Sequence, residues 1–166
     1  MGKFMIKIIF LDVDGSLTDG ALYHAESGET MKRFDVKDGF GIQEWQRCGL
    51  YAAIITGKSS QIVANRAKEL KIPFVFQGEK DKFGRASEIL AELGLDFSEA
   101  AAIGDDLNDA KLLNAVGMSF KPSDALNSLS ADYTLNARGG HGAVREMIEI
   151  LVDKNNMREI WNSKWL

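Results

Sequence analysis

The segment MIKIIFLDVDG, residues 5–15, joins an apolar run to two aspartates. Its first seven residues are large, apolar and often β-branched, with one interruption at Lys7. A nearly continuous apolar run of this length predicts a strand that is buried on both faces, as in a parallel sheet. The run ends at Asp12, and Asp14 follows two residues later. Both carboxylates are therefore expected at the carboxyl end of a buried strand.

The rest of the chain alternates strand-like and helix-like segments. Further strands are predicted at 50–56, 74–77, 100–106, 117–120 and, at a sheet edge, 131–135, and helices at 38–48, 60–71, 80–93, 107–115, 122–129 and 142–154. Because strands and helices alternate, we predict an α/β fold, a doubly wound, Rossmann-like parallel sheet with helices on both faces.

One segment departs from this alternation. Residues 20–35 hold two short strand-like stretches around the turn sequence ESGE, which predicts a β-hairpin flap after the first strand. The remaining chain leaves no room for a cap domain and shows no linker. We therefore expect residues 1–166 to form one domain, with a C-terminal tail at about 152–166.

Composition narrows the range of partners and locations. The net charge is −4, which gives no general attraction to nucleic acid or to anionic membranes. No segment has the length of a membrane helix or the cleavage site of a signal peptide. Cys48 is the only cysteine, so no intrachain disulfide can form, which fits a reducing cytoplasm. We expect a cytoplasmic protein without nucleic-acid or membrane partners.

Polar residues with complementary chemistry follow several predicted strands. Ligands of a doubly wound sheet bind beyond the carboxyl ends of its strands, where this chain places, in order, Asp12 and Asp14, Thr56, Lys82 and Asp105. The carboxylates can supply oxygen ligands to Mg²⁺, and a carboxylate can attack phosphorus as a covalent nucleophile. A cation at Lys82 would offset the repulsion between an anionic phosphate and that nucleophile.

These residues stand in familiar motifs. DVDGSLTDG at 12–20, ITG at 55–57, Lys82 and GDDLND at 104–109 are similar to the four ordered motifs of the haloacid dehalogenase superfamily. The resemblance implies that Asp12 is the nucleophile and a magnesium ligand. It implies that Asp14 is the general acid and later the general base, with its backbone carbonyl on magnesium. It further implies that Thr56 and Lys82 bind the phosphate and that Asp105 is the third protein ligand of the metal.

Two further aspartates lie in the last motif. Asp109 matches a position that orients metal-bound water or Lys82 in the superfamily. Asp106 matches either a similar supporting position or the cap of the following helix.

A narrower resemblance covers nearly the whole chain. LTDG, DVKDGFGI, IITGK, the QG before Lys82, IGDDLND and GGHGAVRE resemble the capless branch of 3-deoxy-D-manno-octulosonate 8-phosphate (KDO 8-phosphate) phosphatases. This implies magnesium-dependent hydrolysis of KDO 8-phosphate to KDO and inorganic phosphate, in the biosynthesis of lipopolysaccharide precursors. It also implies a homotetramer in which a neighbour's C-terminal tail closes the active site.

The same resemblance suggests where the sugar acid binds. The substrate-contacting positions, besides Asp14 and Lys82, are Asp35, Val36, Lys37, Asp38, Gly39, Lys58 and Arg66. Lys58 stands where the branch often has arginine, and Gln43 stands where some members have another arginine. A sister group acts on nine-carbon, sialic-acid-like 9-phosphates, which is the alternative substrate class. Lys37 and Lys58 are alternatively solvated lysines, and Arg66 is alternatively part of a surface ion pair.

A different class of protein is the remote alternative. A receiver-like or non-catalytic binding domain shares an α/β fold with an acidic metal site. A receiver usually carries its phosphate acceptor on the third strand, whereas the third strand here ends in FQG. His141, in the GGHG loop, is expected not to bind metal and is a candidate for lining a neighbour's site.

Overall fold

A computed structural model describes residues 5–166. Its strands are β1 (Ile8–Leu11), β2 (Tyr23–Ala25), β3 (Gly28–Met31), β4 (Tyr51–Ile55), β5 (Phe74–Phe76), β6 (Ala100–Ile103), β7 (Met118–Lys121) and β8 (Tyr133–Thr134). Its α-helices are α1 (Val36–Arg47), α2 (Gln61–Glu69), α3 (Lys82–Leu93), α4 (Ala110–Ala115), α5 (Ala143–Lys154) and α6 (Arg158–Asn162). Residues 1–4 of the predicted domain lie outside the described part.

Six of these strands form one parallel sheet in the order β5-β4-β1-β6-β7-β8. The first strand is central, and all four of its residues are buried, as the apolar run predicts. Ile9 and Leu11 belong to the core on one face, which they share with α1, α2 and α5. Ile8 and Phe10 belong to the opposite core, with α3 and α4. The predicted doubly wound sheet with helices on both faces is confirmed.

The predicted hairpin flap is also present. Strands β2 and β3 form a separate two-stranded antiparallel sheet, and a bridge between Thr18 and Phe34 closes its base. This hairpin is the insertion between β1 and α1, and among residues 5–166 no cap domain interrupts the sheet. In the same range, no helix is both long and apolar enough to cross a membrane.

Several predicted boundaries are wrong. The first strand begins at Ile8 rather than Met5, and β6 ends at Ile103, so Asp105 and Asp106 lie in the following loop. The helix predicted at 122–129 is a series of turns. Two isolated turns close in this segment, from the amide of Ala125 to the carbonyl of Pro122 at 3.1 Å and from Leu129 to Leu126 at 3.0 Å, and the amide of Ser123 donates to the carbonyl of Ala137 at 3.0 Å. The amide of Leu126 likewise donates to the carbonyl of Asp105 at 2.8 Å.

Candidate active site

Asp12 directly follows the central strand and is 6% exposed. One carboxylate oxygen, Oδ1, accepts a hydrogen bond from Nζ of Lys82 at 2.7 Å, and the other, Oδ2, accepts one from the hydroxyl of Ser16 at 3.2 Å. Burial, followed by repulsion from Asp109, raises the pKa of the Asp12 carboxyl to about 6. The side chain is thus held by two donors at the carboxyl edge of the sheet.

Lys82 links two loops at this edge. It is the first residue of α3, whose N-terminus is capped by Asp81, with Oδ1 accepting from the amide of Gly84 at 3.0 Å. Its ammonium contacts Asp12 at 2.7 Å and Asp109 at 2.6 Å. Burial lowers the pKa of this ammonium, but the two carboxylates outweigh that effect and raise it above its ordinary value. Lys82 therefore stays protonated in the site.

The loop after β6 supplies the other aspartates. Oδ2 of Asp109 accepts the backbone N–H groups of Asp105 and Asp106, at 3.0 and 3.3 Å. Asp109 thereby contacts both the loop and Lys82. The Asp106 carboxylate accepts from the amide of Leu107 at 2.7 Å and caps the short helix at Leu107–Asp109. Of the two alternatives for Asp106, this geometry favours the cap.

An acidic cluster results from these contacts. Carboxylate oxygens of Asp12, Asp105 and Asp109 all lie within 4.8 Å of one another. Burial, followed by repulsion from Asp12, raises the pKa of the Asp105 carboxyl to about 8. Carboxylate oxygens are the donors that Mg²⁺ prefers, and a divalent cation would relieve the repulsion that raises these pKa values. The residues present therefore fit a magnesium ion.

Gly15 lets the loop after β1 approach Asp105. Its φ is +95°, and a β-carbon there would lie 1.9 Å from Oδ2 of Asp105. The glycine-rich loop of the GGHGAVRE stretch packs against the same turn, since a β-carbon at Gly139 would lie 1.9 Å from the carbonyl oxygen of Gly15. The amide of Gly140 donates to the carbonyl of Ser16 at 3.0 Å. The stretch that carries the narrower resemblance thus supports the loop of Asp14.

The Asp14 side chain contacts the hairpin. Its Oδ1 accepts from Nζ of Lys32 at 2.6 Å, and the same ammonium contacts Glu29 at 2.9 Å. Sequence reasoning missed Lys32, because a lysine in a hairpin is ordinarily solvated, and no local pattern distinguishes this one. Its burial becomes apparent only when the hairpin folds back over the loop after β1.

A small cleft of about 170 Å³ opens over these groups. The lining residues are Asp12, Asp14, Thr56, Gly57, Lys58, Asp105, Asp106 and Asn108. Thr56 follows β4 and is buried, and its backbone N–H is already bonded to the carbonyl of Phe76 at 2.9 Å. Its hydroxyl is therefore the group it can offer a ligand. Asn108 was not predicted, although it lies inside the GDDLND motif.

The structure separates the predicted sugar-binding residues into two groups. Lys58 lines the cleft, whereas Arg66 lines a separate groove of about 400 Å³ beside the hairpin, together with Val36. Arg66 also contacts Glu69 at 3.1 Å. Arg66 therefore both lines a groove and takes part in an ion pair, as the two interpretations of this residue expect. Val36 and Lys37 are exposed in the first turn of α1.

Asp35 and Asp38 have structural partners instead. Asp35 caps α1 by accepting from the amide of Lys37 at 2.8 Å. Asp38 is 1% exposed, and its Oδ1 accepts from the amide of Arg145 in the first turn of α5 at 2.8 Å. Gly39 packs under Arg66, where a β-carbon would lie 2.4 Å from the guanidinium. The structure does not bring the Asp38 carboxylate to the cleft.

Gln43 and His141 lie apart from the cleft lining. Gln43 is exposed and lines a groove between α1 and the tail, with Arg47 and Lys164. His141 is exposed, and its Nδ1 lies 2.9 Å from the carbonyl oxygen of Gly139.

Comparison with known proteins assigns this arrangement to a class. Residues 74–134 match the family model described as haloacid dehalogenase-like hydrolase. The parallel sheet, the aspartate after its first strand and the lysine that pairs with it define a hydrolase of this class.

Relatives specify the family more narrowly. The chain is 38% identical over 149 residues to 3-deoxy-D-manno-octulosonate 8-phosphate phosphatase KdsC of Salmonella typhi, an alignment covering 89% of this chain and 79% of the relative. The chain belongs to the family of 3-deoxy-D-manno-octulosonate 8-phosphate phosphatases.

Solved structures agree with this assignment. One of them is 3-deoxy-D-manno-octulosonate 8-phosphate phosphatase from Moraxella catarrhalis, in complex with magnesium, phosphate and KDO. It superimposes on this chain with a TM-score of 0.92 at 36% sequence identity, covering 97% of this chain and 94% of that one. The cobalt-bound enzyme from Haemophilus influenzae superimposes with a TM-score of 0.88 at 34% identity, covering 91% and 90%.

Proposed function

We propose that this protein is a magnesium-dependent phosphatase that hydrolyses KDO 8-phosphate to KDO and inorganic phosphate through an aspartyl-phosphate intermediate. The observation that carries the proposal is the buried Asp12, paired with Lys82 at 2.7 Å and clustered with Asp105 and Asp109. A nucleophilic carboxylate beside a fixed cation is the arrangement that phosphoryl transfer to an aspartate needs. The 38% identity to the Salmonella typhi enzyme supports the substrate.

In the first step, a carboxylate oxygen of Asp12 attacks phosphorus, and the bond between phosphorus and the sugar oxygen breaks. Asp14 donates a proton to the departing oxygen, which leaves as an alcohol. In the second step, Asp14 removes a proton from water as the water oxygen attacks the aspartyl-phosphate. Inorganic phosphate leaves, and the Asp12 carboxylate is restored.

The remaining residues of the site hold the reacting groups. Lys82 and the hydroxyl of Thr56 bind the phosphate oxygens, while Asp109 keeps Lys82 in place. Asp12, Asp105 and the backbone carbonyl of Asp14 would hold Mg²⁺, which supplies positive charge beside the transferring phosphoryl group. The raised pKa values of Asp12 and Asp105 support a cation here, since both carboxylates need positive charge to ionise together.

The sugar acid would extend from the cleft toward the hairpin. Lys58 lines the cleft and a groove of about 390 Å³, and Ile62 lines both that groove and the one that holds Arg66 and exposed Val36. Two cations in this direction suit a substrate with a carboxylate remote from its phosphate. Asp35 and Lys37 belong to this proposal because they lie at the start of α1, and buried Gly39 belongs to it because it packs under Arg66. Asp38 would act through the backbone of that turn, because its side chain is buried.

We further propose that residues 1–166 act as one cytoplasmic phosphatase domain that assembles as a homotetramer. Exposed apolar side chains on the hairpin and the start of α1 support an interface there: Leu22, Tyr23, Met31 and Val36. In the single chain, the tail packs on its own α1, with Trp165 5.3 Å from Phe40. Sedimentation equilibrium tests the assembly, and a monomer at micromolar concentration would contradict it.

The proposed function is tested by phosphate release from KDO 8-phosphate, a nine-carbon sugar-acid 9-phosphate and a hexose phosphate, with and without magnesium. We expect magnesium-dependent preference for the eight-carbon acid. Preference for the nine-carbon acid would retain the mechanism and change the substrate. Asp12→Asn should abolish turnover, whereas the control Asp153→Asn, on exposed α5 surface, should not. Release without magnesium, or by Asp12→Asn, would contradict the mechanism.

A further inference from the structure

A buried lysine connects the hairpin to the proposed acid–base residue. The Lys32 side chain is 1% exposed, and its ammonium lies between two carboxylates, 2.6 Å from Asp14 and 2.9 Å from Glu29. Burying an ammonium is costly unless it is paired and hydrogen-bonded. Its position at the foot of the hairpin, immediately after β3, therefore depends on both carboxylates.

The contacts continue from Glu29 to the start of α2. The hydroxyl of Ser60, which caps α2, donates to Oε1 of Glu29 at 2.7 Å and accepts from the amide of Ile62 at 3.2 Å. Lys32 holds the other oxygen of Glu29. The hairpin residues Glu29 and Lys32 thus join the capped helix to the loop after β1 through one hydrogen bond and two ion pairs.

At the other end, this chain of contacts fixes one side of Asp14. Lys32 binds Oδ1, while within residues 5–166 no group donates a hydrogen bond to Oδ2. Asp14 also lines the cleft. A carboxylate whose one oxygen is anchored and whose other oxygen is free has a defined direction for proton transfer. Such orientation matters, because a displacement of about 1 Å can cost about 100-fold in rate.

We propose that Lys32 is a positioning residue that orients the Asp14 carboxylate toward the oxygen of the departing alcohol, and that Glu29 holds Lys32 in that position. The inference rests on the proposed function, since it assigns Asp14 the acid–base role. In this arrangement the hairpin does more than border the sugar-binding groove. It sets the geometry of the proton transfer that accompanies cleavage of the phosphorus–oxygen bond.

A comparison of two leaving groups distinguishes a positioning role of Lys32 from general support of the site. The sugar alkoxide needs a proton as it departs, whereas p-nitrophenolate leaves without one. We would measure the rate of the first step for both phosphates by rapid quench and by the p-nitrophenol burst. Lys32→Met should slow the first step with KDO 8-phosphate by about 100-fold. It should leave the KM and the p-nitrophenol burst rate nearly unchanged.

Two further variants complete the test. Glu29→Gln retains Lys32 and should give a smaller loss with the same dependence on the leaving group, which keeps the inference testable if Lys32→Met fails to fold. Lys7→Met removes a lysine from an ion pair of 2.6 Å to Glu99, remote from the cleft, and should behave as wild type.

An equal loss for both leaving groups, a rise in KM alone, or no change would overturn the positioning role. If wild type prefers another alkyl phosphate to KDO 8-phosphate, the proposed substrate is wrong. The same comparison made with the preferred phosphate still decides the inference.

Discussion

The Nζ atom of Lys82 lies 2.7 Å from Oδ1 of Asp12, and both side chains are almost fully buried. The same ammonium contacts Asp109 at 2.6 Å. Because the ammonium compensates two carboxylates in a site with little access to water, its removal affects more than phosphate binding.

Replacing Lys82 should therefore destabilise the fold as well as abolish turnover. Lys82→Met leaves the buried carboxylates uncompensated, and removal of one partner from a buried pair costs about 3–5 kcal/mol. Urea unfolding in chelator measures this loss. Lys7→Met, which removes a partly exposed lysine, should cost at most about 1 kcal/mol. Equal stability of the two variants would contradict the buried compensation.

The metal-free protein should lose stability as the pH rises. The carboxyl pKa values of Asp12 and Asp105 are raised in the folded state, from 3.8 to about 6 and about 8. The folded state thus binds more protons than the unfolded state between these values, so stability declines as the pH rises through this window. Melting temperatures in chelator from pH 4 to pH 8 test this.

Magnesium and a neutral variant supply the controls for that titration. Magnesium should raise the melting temperature more at the alkaline end of the window, because the ion binds the deprotonated carboxylates. Asp105→Asn should flatten the decline in chelator, since it removes one of the two titrating groups. A wild-type melting temperature that increases steadily toward pH 8 in chelator would contradict proton binding by these two carboxylates in the folded state.

The hydroxyl of Thr56 should contribute to phosphate binding. Thr56→Val keeps the shape of the side chain and removes one hydrogen bond to a charged ligand, so kcat/KM should fall by about tenfold or more. Steady-state kinetics on the sugar phosphate measures the effect. Thr134→Val, on the exposed edge strand β8, is the matched control. Unchanged kinetics in Thr56→Val would remove Thr56 from the phosphate site.

The side chain of Asp38 should matter for stability rather than for contact with the sugar. Asp38→Ala removes the acceptor for the Arg145 amide and should cost about 1–3 kcal/mol in unfolding free energy. Asp38→Asn should retain most of the stability, because its amide oxygen can accept the same N–H group. KM should stay at the wild-type value in the Asn variant. A large rise in KM without loss of stability would instead place Asp38 in the substrate site.

The sequence predicted the central part of the fold and site because the relevant signals are local. The apolar run before Asp12 predicts a buried central strand, and β1 occupies that place. Asp12, Asp105 and Lys82 converge because each follows a strand or begins a helix at the same sheet edge.

The features that the sequence did not predict depend on tertiary contacts. Lys32 is buried only because the hairpin folds over Asp14, and hairpin lysines are ordinarily exposed. The motif around Asp38 predicts a substrate-binding residue. Its carboxylate instead accepts a hydrogen bond from the amide of Arg145, which is 107 residues away along the chain. The helix predicted at 122–129 is absent because the amide of Leu126, which a helix would pair with the carbonyl of Pro122, donates to the carbonyl of Asp105 instead.

The contact between Gly139 and Gly15 limits how this protein can vary. A β-carbon at Gly139 would strike the backbone of Gly15, so no substitution of a neighbouring side chain can make room for it. A β-carbon at Gly15 would instead strike the Asp105 carboxylate, and the φ of +95° there strains any side chain even if that carboxylate is shortened. In a mutational library selected only for folding, position 139 should therefore return glycine almost exclusively. Evolutionary replacement of Gly139 would then require the backbones of the Gly15 loop and the Gly139 loop to move together.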